Sequence, residues 1–159
     1  MEKEKNKKLT PNQALLKAAN FCAYQERCHA EVYEKLNEWG IWDDDASAIV
    51  LQLIEQNYLN EERFAIAFAG GKFRVKKWGR IKIKNELKQR DISEYCIKKA
   101  MLEIDDWTYE QTIIALAQKK WEETKENNLF KKKAKVAAYL IGKGYESELI
   151  WQVLHQQWR

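Results

Sequence analysis

Proline and glycine are scarce in this chain, and their scarcity limits the folds it can adopt. The 159 residues contain one proline and six glycines, whereas a sandwich of many short strands needs such residues at its turns. No apolar run approaches the roughly 18 residues that a membrane-spanning helix requires. Apolar residues still make up 45% of the chain, which is enough for a buried core. The composition predicts an all-α protein of long helices with short connections and no membrane partner.

Histidine and cysteine are also rare, which argues against a metal site and a disulfide framework. Cys22, Cys28 and Cys96 cannot all pair with one another, so we expect reduced, buried cysteines in a cytoplasmic protein. Cys28 and His29 have no second cluster that could complete a tetrahedral metal site. Residues 1–10 have no apolar segment typical of a secretory signal and predict a flexible tail.

Motifs of common catalytic sites are missing as well. The sequence contains no Gly-x-Ser-x-Gly, no P-loop and no His-Glu-x-x-His. Its many carboxylates fall in acidic stretches that give no reason for a perturbed pKa. We therefore predict a protein that is not an enzyme and that needs no metal or other cofactor.

Charges of each sign are concentrated in separate parts of the chain. Residues 31–62 hold nine acidic residues and one lysine, and residues 72–90 hold nine basic residues and one glutamate, giving local net charges of −8 and +8. Blocks of one sign are typical of binding surfaces, although two merely solvated faces are the alternative. Asp43, Asp44 and Asp45 suit the first turn of a helix and lack the glycine and distal glutamate of a calcium loop.

Three segments of the chain repeat the same helix end, turn and helix start about fifty residues apart. In each, a leucine anchors the helix, a Gly or Asp suits the left-handed conformation, and an apolar residue packs back. Asp, Ser or Glu then begins the next helix and accepts hydrogen bonds from its exposed amides. The segments are Leu36–Ile41, Leu87–Ile92 and Leu140–Tyr145.

Amphipathic stretches on both sides of these turns predict three helices per unit and nine in all. We place three tandem three-helix repeats at residues 11–57, 58–105 and 106–159, after the tail. One such unit buries a marginal core, so neighbouring units should pack edge to edge in an elongated, curved arrangement. We expect Ile54 and Trp158 in the apolar stripes, and most of the seven tryptophans in cores or between units.

The basic run has a helical pattern of its own. Ile83 and Leu87 should face the core, while Arg80, Lys84 and Lys88 form a neighbouring stripe of like charges. Such a stripe is expected to meet phosphates or an acidic protein surface. Trp78 is equally compatible with base stacking and with packing. The predicted binding residues are Lys72, Arg74, Lys76, Lys77, Arg80, Lys82, Lys84 and Lys88.

A second basic cluster lies in the third repeat. It either lengthens the same face or is ordinary solvated surface, and the sequence alone favours neither. The cluster consists of Lys131, Lys132, Lys133 and Lys135.

The segment from Tyr58 to Ala65, Tyr-Leu-Asn-Glu-Glu-Arg-Phe-Ala, resembles the signature of the RecX family. The flanking pieces, Glu31 to Gly40 upstream and Gly79 to Leu87 downstream, agree with that family in order and spacing, and the match runs through nearly the whole chain. Cys28 is a departure, because the family often has a Ser or Thr cap there. The matching signature residues are Tyr58, Leu59, Arg63, Phe64, Ala65, Gly79, Ile83 and Leu87.

The resemblance implies a regulator of RecA, the recombinase that polymerises on single-stranded DNA in DNA repair and the SOS response. Members of this family are understood to lie in the groove of the RecA filament and to limit its growth, strand exchange and coprotease activity. The partners would then be the RecA filament and, weakly and non-specifically, single-stranded DNA. The sequence has no heptad seam, so we expect a monomer.

Two other interpretations compete with this one. The three-helix units could form a nucleic-acid-binding module of helix-turn-helix type without a RecA partner, but the Lys-rich stripe favours phosphates over bases. A helical scaffold with no nucleic-acid role would be expected to mix its surface charges, and the two charge blocks argue against it.

Overall fold

The computed structural model describes residues 9–159, and the regular secondary structure of this part of the chain is all α-helix. The all-α prediction is confirmed, and the helices lie where the amphipathic stretches predicted them. Among the described helices, none has both the length and the hydropathy needed to cross a bilayer. The helices are α1 (Pro11–Tyr24), α2 (His29–Glu38), α3 (Asp43–Glu55), α4 (Glu61–Arg74), α5 (Arg80–Gln89), α6 (Glu94–Leu102), α7 (Asp106–Glu123), α8 (Leu129–Gly142) and α9 (Ser147–Gln157).

The predicted tail at residues 1–10 falls mostly outside the described residues. Thr10 is described, and it begins α1 with a capping box. Its hydroxyl accepts the Gln13 N–H at 3.2 Å, and the Gln13 side chain accepts the Thr10 N–H at 3.0 Å.

The three repeated turns form as the sequence predicts. Each leucine is fully buried, each following Gly or Asp has a positive φ, between 57° and 96°, and each apolar residue after it is buried. The Ile41 and Tyr145 amides donate back to the Leu36 and Leu140 carbonyl oxygens, which closes the helix ends. The three sets are Leu36, Leu87 and Leu140; Gly40, Asp91 and Gly144; and Ile41, Ile92 and Tyr145.

The predicted caps after these turns form in only one repeat. Ser93 accepts the Cys96 N–H at 3.3 Å and caps α6. Trp42 precedes α3 without a side-chain cap, and the three aspartates lie in the first turn instead. Glu146 precedes α9, but its carboxylate accepts a hydrogen bond from the Tyr109 hydroxyl at 2.8 Å instead of capping the helix. A distant partner therefore replaces the local cap in the third repeat.

The described chain divides into two compact units. The first comprises the described residues up to Phe64 together with Arg90–Ile92, and the second comprises Ala65–Gln89 and Ser93–Arg159. The core of the first unit packs α1, α2 and α3 around Ala14, Leu36 and Leu53. The boundaries of three separate repeats stay a prediction.

The tryptophans lie at the margins of the cores or on the surface: Trp39 is partly buried against the core of the first unit, and Trp121 stacks on Trp158 with ring centroids 4.2 Å apart. None of the seven belongs to the buried core of the described residues, and Trp42 and Trp107 are 59% and 69% exposed. Ile54 is also exposed, because the buried stripe of α3 is already complete without it. The buried core residues are Leu, Ile, Val and Ala, together with two phenylalanines, two tyrosines and the three cysteines.

Candidate functional site

The predicted basic run occupies the end of α4, the loop of residues 75–79, called the basic loop below, and α5. Its partly buried members are Lys72, Arg80 and Lys82, whose stems therefore contribute to packing. Its exposed members are Arg74, Lys76, Lys77, Lys84 and Lys88.

Helix α5 separates its apolar and basic residues on two faces. Ile83 and Leu87 are fully buried, while Lys84 and Lys88, one residue further along, are exposed. This is the arrangement that the spacing of four predicts. The exposed lysines are one turn apart and can both reach a surface of negative charge.

Arg80 differs from Lys84 and Lys88 of the predicted stripe, because its guanidinium is bound by other groups of the same chain. Its guanidinium lies 2.7 Å from Asp106 Oδ1, donates to the Ile104 carbonyl oxygen at 3.0 Å and covers the Tyr109 ring at 4.0 Å. Its side chain is 19% exposed. Arg80 therefore ties α5 to the start of α7. The helical spacing could not reveal a partner 26 residues away.

The basic loop is held by residues that follow it by more than sixty positions. Its last amide, from Gly79, donates to the Lys143 carbonyl oxygen at 2.8 Å. The Tyr145 hydroxyl donates to the Lys77 carbonyl oxygen at 2.8 Å, and Lys143 Nζ donates to the Lys76 carbonyl oxygen at 3.0 Å. The sequence pattern indicates only a local role for the turn at Tyr145, and no local pattern could have revealed these contacts.

Trp78 is partly buried and lies between two ammonium groups. Lys72 Nζ is 4.9 Å and Lys82 Nζ is 4.5 Å from the centroid of its ring. Cation–π attraction of this kind stabilises the positions of the ring and of both ammonium groups. The structure does not decide between base stacking and packing for Trp78. It shows a partly exposed aromatic ring beside two positive charges.

The lysines of the third-repeat cluster do not form one open basic face. Lys133 is buried, with Nζ 3.4 Å from His155 Nδ1. Lys132 Nζ lies 4.5 Å from the Trp121 ring, and Lys135 lies 2.9 Å from Glu126. Lys131 is exposed. The cluster is therefore largely engaged in contacts of the third repeat itself.

The family-signature residues other than Tyr58, which is 40% exposed, have structural roles. Leu59, Phe64 and Ala65 are buried. Arg63 Nε lies 2.5 Å from Glu26 Oε1, and its guanidinium also donates to Asn57. The signature arginine thus fastens the start of α4 inside the first unit. Its partner Glu26 belongs to the segment after α1, where no sequence pattern marks it.

The cysteines are part of the structure and not of a metal site. The three cysteines are free and buried as predicted, and burial raises the pKa of Cys22 and Cys28. Cys28 begins α2 without accepting an amide, and its thiol donates to Glu31 Oε1 at 3.4 Å. Within residues 9–159, no cluster of His, Cys, Asp or Glu is arranged to hold a metal ion.

Family models match two regions of the chain that together exceed half of its length. Residues 60–101 match the second three-helix domain of RecX, and residues 108–154 match the third. The Regulatory protein RecX of Lactobacillus gasseri is 39% identical over 93 residues, or 58% of this chain and 34% of the relative. That of Bacillus cereus is 24% identical over 137 residues, or 86% and 51%. The chain thus spans from a third to about half the length of these relatives.

Solved structures share the fold over most of the chain. The crystal structure of RecX from Lactobacillus salivarius has a TM-score of 0.82 at 23% identity and covers 92% of this chain and 95% of that one. A second crystal structure, of a regulatory protein RecX, has a TM-score of 0.78 at 20% identity and covers 89% and 73%. At such identity the likeness shows the fold alone. With the matched domains, the chain belongs to the RecX family of regulatory proteins.

Proposed function

We propose that this protein binds RecA–single-stranded DNA filaments in the cytoplasm and limits the recombinase, ATPase and coprotease activities of RecA. Membership of the RecX family supports the regulatory role. The observation that carries the proposal is the exposed basic surface of the second unit, formed by the end of α4, the basic loop and α5. The mechanism needs no catalytic step, because occupation of the filament is itself sufficient to hinder subunit addition and turnover.

The charge and geometry of this surface suit a nucleoprotein. Arg74, Lys76, Lys77, Lys84 and Lys88 are exposed, and the filament offers phosphates that they can neutralise. Lysine is a point charge that meets phosphate without reading base edges. The proposed contact is therefore independent of DNA sequence and weakens as salt rises. Arg80 and Lys133 are left out of it because their side chains have internal partners.

The test compares two double charge reversals. Lys84→Glu/Lys88→Glu changes the exposed face of α5, and Lys98→Glu/Lys119→Glu makes the same change in net charge at exposed positions of α6 and α7. Binding of each to RecA assembled on single-stranded DNA is measured at fixed salt. We expect the α5 variant to lose about tenfold or more in affinity and the control to lose much less.

Two results would count against the proposal. Equal losses in both variants would mean that net charge, and not this surface, governs binding. Tight, salt-dependent binding to bare DNA with no preference for the RecA filament would favour the plain nucleic-acid-binding module instead.

A further inference from the structure

The basic loop has an unusual set of partners for a surface loop. It connects α4 to α5, and two of its consecutive carbonyl oxygens accept hydrogen bonds from one distant turn. Tyr145 donates to the Lys77 carbonyl oxygen and Lys143 to the Lys76 carbonyl oxygen. Both donors lie at the turn between α8 and α9, in the same compact unit. The conformation of the loop is thus stabilised by residues of the turn between α8 and α9, far from it in the sequence.

The loop adopts a conformation that needs this support. Lys77 has φ of +59°, a left-handed conformation that a residue with a long side chain seldom adopts. The Lys72 carbonyl oxygen accepts the amides of both Lys76 and Trp78, at 3.1 and 3.2 Å. With both carbonyl oxygens bonded to the turn, the Lys76 and Lys77 side chains remain exposed. The ties therefore preorganise a positively charged turn and occupy the backbone acceptors that would repel an anion.

Tyr145 is suited to fix this loop and unsuited to touch a ligand. It is 1% exposed, and its ring lies 5.2 Å from the ring of Tyr109. Burial raises the pKa of its hydroxyl, so the O–H remains a donor at neutral pH. Removing the hydroxyl changes no charge and leaves the ring in place. An effect of that removal on ligand binding must consequently act through the loop.

We propose that Tyr145 and Lys143 are positioning residues that hold the basic loop in the shape in which it binds the sugar–phosphate backbone of single-stranded DNA. This inference rests on the proposed function and deepens it, because it assigns the basic loop to the DNA of the filament and not to the recombinase. Trp78, with the ammonium groups of Lys72 and Lys82 at its ring, supplies an aromatic surface beside these charges. The third repeat thereby controls a binding element of the second.

The test uses Tyr145→Phe, with Tyr33→Phe as the matched control. Tyr33 donates to Ser47 Oγ at 3.3 Å in the first unit, so each variant loses one tyrosine hydroxyl bond. Affinity for a fluorescently labelled oligothymidylate is measured by anisotropy over a range of salt. Hydrogen exchange of residues 75–81 reports on the loop in the full chain, and thermal unfolding reports on stability.

Three changes are expected in Tyr145→Phe and none of them in the control. Exchange in residues 75–81 accelerates, and oligothymidylate affinity falls by about three- to tenfold, the scale of one neutral hydrogen bond. The slope of log affinity against log salt also falls, by about 0.7 for each phosphate that the variant no longer neutralises. A purely structural role would lower the melting temperature without changing that slope. Lys143→Arg, which keeps a side-chain donor, should bind better than Lys143→Met, which has none.

The outcomes separate this inference from the proposed function. Unchanged affinity and slope in Tyr145→Phe would overturn the positioning role even if the wild-type protein inhibits RecA. Failure of the wild-type protein to bind oligothymidylate would also overturn it. If Tyr145→Phe binds oligothymidylate more weakly but the wild-type protein has no effect on RecA, the positioning role is supported and the proposed function is overturned.

Discussion

A Cβ atom built on Gly79 would lie 2.2 Å from the Gly144 carbonyl oxygen, so the start of α5 and the turn before α9 meet at two glycines. Gly144 has φ of +96°, and a Cβ there would lie 2.3 Å from Lys82 Cβ. Backbone hydrogen bonds cross the same contact, from Gly79 to Lys143 and from Ile81 to Gly144. Both positions therefore require glycine, Gly79 for space and Gly144 for space and conformation.

Gly79→Ala should destabilise the protein by about 1–3 kcal/mol, because the added methyl group forces this backbone contact apart. Gly71→Ala is the control, since a Cβ at that helical position meets nothing within 4 Å. There alanine should stabilise α4 by about 0.5–1 kcal/mol. Free energies of unfolding from urea denaturation check both values. Losses of the same size in the two variants would contradict the role given to the contact.

Arg80→Met should cost about 1–3 kcal/mol of stability, because it removes a charged hydrogen bond to the Ile104 carbonyl oxygen and the pair with Asp106. Asp106 is 94% exposed, so the ion pair itself contributes the smaller part. Lys84→Met, on the exposed face of α5, should change stability by less than about 0.5 kcal/mol. Urea denaturation distinguishes the two. An unfolding free energy unchanged by Arg80→Met would show that Arg80 is a surface residue after all.

Arg63→Ala should destabilise the first unit by about 1–3 kcal/mol, because the guanidinium bonds both Glu26 and the segment before α4. Lys35→Ala is the comparison. Its surface pair with Glu38, at 3.2 Å, joins side chains that are 39% and 54% exposed and should contribute less than about 0.5 kcal/mol. Thermal unfolding of both variants tests the difference. Similar melting temperatures would contradict the structural role of the signature arginine.

Stability should fall at alkaline pH through Tyr109 and Tyr145. Burial raises the pKa of both hydroxyls above the ordinary value, so the unfolded chain ionises first as pH rises past about 10. Their contribution to the free energy of unfolding is fully present below that pH. Above it, the protein loses about 1.4 kcal/mol of stability per pH unit for each of the two tyrosines. Urea denaturation at pH 9 and pH 11 should show a smaller alkaline loss for Tyr145→Phe than for the wild-type protein. Equal losses would show that Tyr145 is not buried as described.

Local features of this fold could be predicted from the sequence, because neighbouring residues determine them. The turn at Gly40 is an example, since the buried Leu36 and the left-handed glycine that follows it belong to one turn, which is closed by bonds within the same six residues. The separation of Ile83 from Lys84 on α5 is another, because it depends only on helical geometry.

Contacts between distant elements could not be predicted in the same way. Arg80 has the spacing of a surface stripe, yet its side chain packs on the buried Tyr109 ring and donates to the Ile104 carbonyl oxygen. Lys133 sits among other lysines in the sequence but lies beside His155 in the structure. Each result depends on which helices pack together, and a single sequence without a structure does not specify those partners.

The rate of ATP hydrolysis by RecA on single-stranded DNA, measured while this protein is titrated in, tests the central claim most directly. We predict a falling rate at substoichiometric amounts, a much weaker effect of Lys84→Glu/Lys88→Glu, and a nearly normal effect of Lys98→Glu/Lys119→Glu. An unchanged rate at several-fold excess of the wild-type protein over RecA would contradict the claim.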